Sequence, residues 1–133
     1  MIAAEESKIC ILLIEDSNAD QVLFCEIAKA ISPRFSIACV DNGLEAIEYL
    51  EDADSDPIAV FLDINMPKMN GHELMQAYGN NFNDRNIPVY VLTSSSYDQD
   101  RVLFSPYNIA DYCLKSASYD NIRAILAALA NTC

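Results

Sequence analysis

The chain has 133 residues, of which 52% are hydrophobic, so it can form one domain with a single core and has no room for a second. Its formal net charge is −12, which argues against direct binding to nucleic acid or to an anionic membrane and favours a cation or a basic partner. The N-terminus is acidic where a signal peptide would be basic, and every apolar run is far shorter than a bilayer span. We therefore expect a cytoplasmic protein.

Strands and helices are predicted to alternate five times. In chain order the predicted elements are strand 8–14, a first helix, strand 35–40, helix 44–50, strand 58–62, helix 72–78, strand 87–92, helix 98–105, strand 111–114 and helix 119–130. The first helix has N-cap residues at Ser17-Asn18-Ala19-Asp20 and apolar residues at helical spacing from Val22 to Ile31, and it stops by Ser32-Pro33. The second strand alternates only in part, which predicts a position nearer the sheet edge. Residues Gly79 to Asn86 are predicted to be a long exposed connection that cannot continue the third helix. Such alternation is typical of a parallel sheet with helices on both faces.

The cysteines are odd in number, widely spaced and mostly inside apolar runs. They are Cys10, Cys25, Cys39, Cys113 and Cys133. We predict that they are reduced and that most of them belong to the core. A zinc cage would need close cysteine pairs with histidines, and the sequence has a single histidine, His72, so no such cage is expected.

Polar side chains follow four of the five predicted strands. Glu15 and Asp16 close the first strand, Asp63 the third, Thr93 the fourth and Lys115 the fifth. The carboxyl ends of parallel strands share one edge of the sheet, and ligands bind outside that edge. Three carboxylates there would repel each other by about 4 kcal/mol per pair at roughly 4 Å and an effective dielectric constant near 20. A cation must offset this charge, and all-oxygen ligands favour Mg²⁺.

These residues also suit an anionic group that arrives on Asp63. The metal and Lys115 would hold the oxygens of that group, and Thr93 would donate a hydrogen bond. Taken singly, each residue has a simpler interpretation: Asp63 could cap a turn, Glu15 and Asp16 could cap the first helix, and Lys115 could be solvated. Their joint positions at the strand ends favour a site.

This pattern resembles the receiver domains of two-component response regulators. The motifs that carry the resemblance are Leu13-Ile14-Glu15-Asp16-Ser17, Leu62-Asp63-Ile64-Asn65-Met66-Pro67-Lys68-Met69-Asn70-Gly71, Leu92-Thr93-Ser94 and Asp111-Tyr112-Cys113-Leu114-Lys115. The resemblance covers nearly the whole chain. It implies an α/β, flavodoxin-like, doubly wound five-stranded parallel sheet of order 2-1-3-4-5 with five helices. It further implies that residues 1–133 are a single receiver domain without an output domain.

The resemblance also assigns roles to individual residues. Asp63 would accept a phosphoryl group from a phosphohistidine. The other implied roles are Mg²⁺ binding by Glu15, Asp16, Asp63 and the main-chain carbonyl of Asn65, contact with the phosphoryl oxygens by Thr93 and Lys115, switching by Thr93 and Tyr112, and tuning of dephosphorylation by Asn65 and Ser95. The implied protein is no enzyme but a phosphoacceptor that assists its own phosphorylation and dephosphorylation.

The implied partners are a sensor histidine kinase or a histidine phosphotransfer protein, and a downstream protein target. The sequence leaves open whether the chain forms a homodimer. One departure from the family is Ser116, which follows Lys115 where receivers usually have proline. Lys115-Ser116 also occurs in regulators that are paired with phytochrome-like kinases.

Two alternatives remain. A degenerate receiver could act as a constitutive binding module, but every acid of the pattern is present together with Thr93 and Lys115. A Mg²⁺-dependent phosphatase with an aspartyl nucleophile would share the metal and the acyl phosphate, but such enzymes usually need a cap or extra substrate-binding segments. The sequence identifies neither the kinase nor the target, and it leaves the phosphoryl lifetime open.

Overall fold

The computed structural model describes residues 7–64, 70–93, 104–115 and 119–132. The strands are β1 (Ile9–Ile14), β2 (Phe35–Val40), β3 (Ala59–Asp63), β4 (Val89–Thr93) and β5 (Ile109–Leu114). The helices within the described ranges are α1 (Asn18–Ile31), α2 (Gly43–Asp52), α3 (Gly71–Asp84) and α4 (Asp120–Thr132). Five helices are predicted and these ranges contain four, because the helix predicted at 98–105 falls mainly on residues 94–103, outside them.

The five strands form one parallel sheet in the order β2-β1-β3-β4-β5, which confirms the predicted order. All five residues of β3 are buried, because the strand has a neighbour on each side and helices on both faces. Strand β2 lies at an edge of the sheet, as its partial alternation predicts. The sheet order reverses between β1 and β3, the position at which open α/β sheets bind ligands.

Two hydrophobic clusters cover the two faces of the sheet. Successive side chains of a strand point to opposite faces, so Leu12 and Ile14 join one cluster, whereas Ile11 and Leu13 join the other. Residues of α2 and α3 pack in the first cluster, and residues of α1 and α4 pack in the second. No helix in the described part of the chain is long and apolar enough to cross a membrane.

Local capping fixes where the helices begin. The Ser17 hydroxyl accepts a hydrogen bond from the Asp20 backbone N–H at 3.3 Å, so α1 begins directly after the acids that close β1. The third helix begins with a capping box in which the Asn70 and Glu73 side chains accept hydrogen bonds from each other's backbone N–H. The caps therefore fix the first residues of α1 and α3, and the α1 cap lies close to the end of β1.

The predicted end of the third helix is wrong. The helix continues through Gly79 to Asp84 instead of stopping at Tyr78. Phe82 is buried, and its ring packs edge-on against the Tyr78 ring with centroids 5.3 Å apart. Burying a phenylalanine stabilises by about 1.5–3 kcal/mol. This exceeds the cost of about 1 kcal/mol for a glycine within a helix, so tertiary packing overrides local propensity.

The prediction that most cysteines belong to the core is also wrong for the described residues. Cys113 is buried, Cys10 and Cys25 are half-buried, and Cys39 is exposed. All four are free thiols, and Cys133 lies outside the described residues.

Gly71 makes a close approach that a larger residue could not make. A Cβ atom at this position would lie 2.8 Å from Ile64 Cα and 2.9 Å from Ile64 Cγ2. We therefore expect Gly71→Ala to lower the free energy of unfolding by about 1–3 kcal/mol, measured by urea denaturation. Gly79→Ala is the matched control, because its Cβ would make ordinary contacts from 3.4 Å outward and should slightly stabilise the helix. Equal effects of the two substitutions would contradict this account.

Candidate functional site

The carboxyl ends of four strands bring polar side chains to one edge of the sheet. Asp63 is the last residue of β3 and Thr93 the last residue of β4. Glu15 directly follows β1, and Lys115 directly follows β5. The parallel register aligns these ends, since Ile14 pairs with Leu62, Asp63 with Leu92 and Thr93 with Leu114.

Three of these side chains are almost completely buried. Glu15 is 1% exposed, Asp63 5% and Thr93 0%. Carboxylates are seldom buried to this extent unless a charge or a hydrogen bond compensates for the lost hydration. Burial of this degree argues against Glu15 and Asp63 as ordinary solvated acids, although Glu15 Oε2 also accepts a hydrogen bond from the Ser17 backbone N–H at 3.3 Å.

Lys115 is the cation at the centre of this cluster. Its Nζ atom lies 2.5 Å from Glu15 Oε1, 2.9 Å from Asp20 Oδ2 and 3.5 Å from Asp63 Oδ2. Burial lowers the pKa of Lys115, but the hydrogen bonds and charges of these acids outweigh it and raise that pKa above its ordinary value. Lys115 thus stays charged at any physiological pH.

The acids beside Lys115 form a set of oxygen donors. Carboxylate oxygens of Glu15, Asp16 and Asp63 all lie within 4.8 Å of one another, with Asp16 exposed and the other two buried. Burial raises the pKa of Glu15 to about 7, and the nearby Asp63 adds to this effect, while Lys115 opposes it. Clustered carboxylates with an exposed member suit a hard divalent cation that keeps some of its water ligands.

Asp20 joins the site although the sequence points to it only as part of a helix cap. Its carboxylate accepts a hydrogen bond from Lys115 Nζ at 2.9 Å. The available signal is its position, because Asp20 lies in the first turn of α1, which begins directly after the acids that close β1. The next residue, Gln21, donates from Nε2 to the Glu15 carbonyl at 2.6 Å and to Asp41 Oδ1 at 3.1 Å. Hydrogen bonds to Lys115 and to the Glu15 carbonyl therefore hold the first turn of α1 against the site.

Thr93 and Tyr112 lie on neighbouring strands beside this cluster. The backbone N–H of Lys115 donates to the Thr93 carbonyl at 2.7 Å, which ties the lysine to the end of β4. The Tyr112 side chain is buried in the hydrophobic cluster that also contains Phe104 and Val91. Three residues named in the sequence comparison with receiver domains lie outside the described residues. They are Asn65 and Ser95, to which the resemblance assigns roles, and Ser116, which stands where receivers usually have proline.

Comparisons with known proteins agree with this geometry. A family model described as the response regulator receiver domain matches residues 11–127. Response regulator Rcp1 from Synechocystis sp. is 34% identical over 95 residues, which cover 68% of this chain and 65% of that protein. The chain thus spans less than two thirds of that relative's length.

Two solved structures are similar over nearly the whole chain. One is the phosphorylated cyanobacterial phytochrome response regulator RcpA, with a TM-score of 0.78, 27% identity, and coverage of 92% of this chain and 91% of that chain. The other is the Mn²⁺-bound form of Rcp1, with a TM-score of 0.73, 28% identity, and coverage of 90% of each chain. The first of these structures is of a phosphorylated protein, and the second is of a divalent-metal complex.

Proposed function

This chain belongs to the family of response regulator receiver domains of two-component systems, and on that premise we propose that Asp63 accepts a phosphoryl group from a phosphohistidine. The single observation that carries the proposal is the buried Asp63 carboxylate, 3.5 Å from Lys115 Nζ and within 4.8 Å of Glu15 and Asp16 oxygens. A buried nucleophile between a fixed cation and a set of metal-binding oxygens suits the acceptance of an anionic group.

In the proposed reaction an Asp63 oxygen attacks the phosphorus atom of the donor. The bond between phosphorus and the imidazole nitrogen breaks, the imidazole leaves, and an acyl phosphate forms on Asp63. Lys115 is already held at the site, so it neutralises a phosphoryl oxygen without moving far. Glu15, Asp16, Asp63 and the Asn65 main-chain carbonyl would hold Mg²⁺, which supplies positive charge to the phosphoryl oxygens.

We also propose that phosphorylation is read out through Thr93 and Tyr112. The Thr93 hydroxyl would hydrogen-bond the phosphoryl group, and the buried Tyr112 ring would then move into the space that Thr93 vacates. The burial of both residues on adjacent strands supports this step, because a packed side chain changes position only when its neighbour does. The downstream target would be a protein that binds the rearranged surface near β5.

The phosphodonor in this proposal is a sensor histidine kinase or a histidine phosphotransfer protein. Similarity to a phytochrome response regulator makes a phytochrome-type histidine kinase the first donor to test. The protein would act as a phosphoacceptor that accelerates its own loading and hydrolysis, without turnover of a separate substrate.

The direct test is labelling of the purified protein by a small-molecule phosphodonor such as acetyl phosphate, with and without Mg²⁺. We expect a single phosphoryl group that is base-labile and cleaved by hydroxylamine, and we expect a chelator to prevent labelling. No labelling together with no response to a metal titration would instead support a constitutive binding module. Continuous turnover of a generic phosphomonoester would support the phosphatase alternative.

The pKa of Glu15 predicts a pH dependence of Mg²⁺ binding. A pKa of about 7 leaves roughly nine in ten Glu15 side chains protonated at pH 6 and one in ten at pH 8. Because protons and metal compete for this carboxylate, Mg²⁺ affinity should be about tenfold weaker at pH 6 than at pH 8 in isothermal titration calorimetry. Glu15→Gln should bind more weakly but lose this dependence; an equally steep dependence in that variant would assign it to another group.

A further inference from the structure

Helix α1 lies along the edge strand β2 and runs in the opposite direction. Three side-chain contacts at intervals of one helical turn join α1 to β2 and to the residue that directly follows β2. They are Gln21 Nε2 to Asp41 Oδ1 at 3.1 Å, Cys25 Sγ to Cys39 Sγ at 3.9 Å, and Lys29 Nζ to the Phe35 carbonyl at 2.7 Å. The outer two contacts are hydrogen bonds, and the middle contact is a pair of thiols.

The strand register places Cys39 on the face that meets α1. Phe35 and Ile37 belong to the cluster that contains Phe24 of α1, and Cys39 follows them at the same two-residue period. A disulfide has a sulfur–sulfur bond of about 2.05 Å, so the two thiols would need to approach by about 2 Å. The hydrogen bonds one turn above and one turn below hold the helix and the strand in register during that approach.

The two thiols are accessible to a reagent. Cys25 is half-buried and Cys39 exposed, whereas Cys113 is buried in the core. Desolvation and the neighbouring Cys25 raise the pKa of Cys39 to about 12. Because this effect disfavours the Cys39 thiolate, we assign the first attack on an oxidant to Cys25.

We propose that Cys25 and Cys39 form a reversible intramolecular disulfide when the protein meets a disulfide oxidant such as oxidised glutathione. The Cys25 thiolate attacks one glutathione sulfur, and the glutathione disulfide bond breaks to release the first glutathione thiolate. Cys39 then loses its proton to solvent and attacks the Cys25 sulfur of the mixed disulfide, which releases the second glutathione thiolate. Two protein thiols are oxidised and one glutathione disulfide is reduced to two thiols, so atoms and electrons balance.

The disulfide would connect to the site at the strand ends. Cys25 lies one helical turn after Gln21, which holds the Glu15 carbonyl, and Asp20 of the same turn holds Lys115. Oxidation would thus fix the helix that carries these contacts to the sheet edge. The disulfide itself does not depend on the proposed phosphorylation, and its test needs no phosphodonor.

The test treats the full chain with oxidised glutathione, blocks the remaining thiols, and maps tryptic peptides by mass spectrometry without reduction. Trypsin cleaves after Lys29 and Arg34, between the two cysteines. We expect a cross-linked pair of peptides, one ending at Lys29 and one beginning at Phe35, that separates on reduction. Because the first peptide also contains Cys10, the measurement is repeated on Cys10→Ala, which should retain the cross-link.

Thermal unfolding gives a second measurement. Closing a loop of this length should raise the melting temperature of the oxidised protein by about 10 °C, and reduction should reverse the change. Cys25→Ser and Cys39→Ser should each abolish the shift, with circular dichroism to confirm that both variants are folded. Free thiols at both positions after oxidation, a persistent glutathione adduct on either cysteine, or a cross-link through Cys10 would overturn the proposal.

Discussion

Asp63→Asn is expected to abolish Mg²⁺-dependent phosphorylation, with a loss of at least about 100-fold in labelling rate. The amide is nearly the same size as the carboxylate but is not a nucleophile toward phosphorus. Asp63 is buried at the end of β3, so the substitution removes the attacking oxygen and leaves Lys115 in place. The measurement is incorporation of phosphoryl groups from acetyl phosphate or a phosphorylated histidine kinase.

Asp52→Asn is the matched control, because Asp52 is an exposed acid at the end of α2 and lies outside the site. This variant should be labelled at the wild-type rate. Base-labile labelling of Asp63→Asn that equals the wild type would place the acceptor elsewhere and would refute the proposed reaction.

Lys115→Ala is expected to lower the free energy of unfolding by about 3 kcal/mol at pH 8 in the presence of a chelator. The substitution removes the cation that lies between Glu15, Asp20 and Asp63 and leaves buried negative charges facing one another. The loss should be smaller at pH 6. Burial raises the pKa of Glu15 to about 7, so at pH 6 most molecules carry a protonated, neutral Glu15. A neutral Glu15 does not repel the Asp63 carboxylate, so less stability is lost with the lysine.

Urea denaturation of the wild type and the variant at both pH values measures this effect. Glu15→Gln in the Lys115→Ala background should restore part of the stability, because it removes one of the repelling charges. Arg85→Ala is the control, since Arg85 pairs with Glu51 and Asp56 at 3.4 Å near the surface and should contribute about 1 kcal/mol or less. A loss for Lys115→Ala no larger than that of Arg85→Ala would contradict the central role of this lysine.

Several features of the site were predictable from the sequence because each depends on where an apolar run ends. Asp63 and Thr93 are the last residues of buried strands, and Glu15 and Lys115 directly follow two others. In a parallel sheet this position alone brings a residue to the common edge. The identity of the residues, acids together with a hydroxyl and a lysine, then indicates the chemistry.

Other features depend on how a helix is rotated about its axis and on how many residues of it pack against the sheet. Asp20 and Gln21 reach the site because the first turn of α1 faces the end of β1. The same rotation of the helix about its axis turns Cys25 towards Cys39 of β2. Neighbours along the sequence do not specify that rotation. It is set by burial of Phe24, Ile27 and Ala28 against the sheet.

The sequence by itself therefore determined the parallel α/β sheet and the polar residues at its carboxyl edge, because strand length and strand ends are local patterns. Tertiary structure alone decided the continuation of α3 to Asp84, the contact of Asp20 with Lys115 and the pairing of Cys25 with Cys39. Each of these depends on which face of a helix is buried. That choice is made by packing between elements distant in sequence, where the burial of side chains such as Phe82 outweighs local propensity.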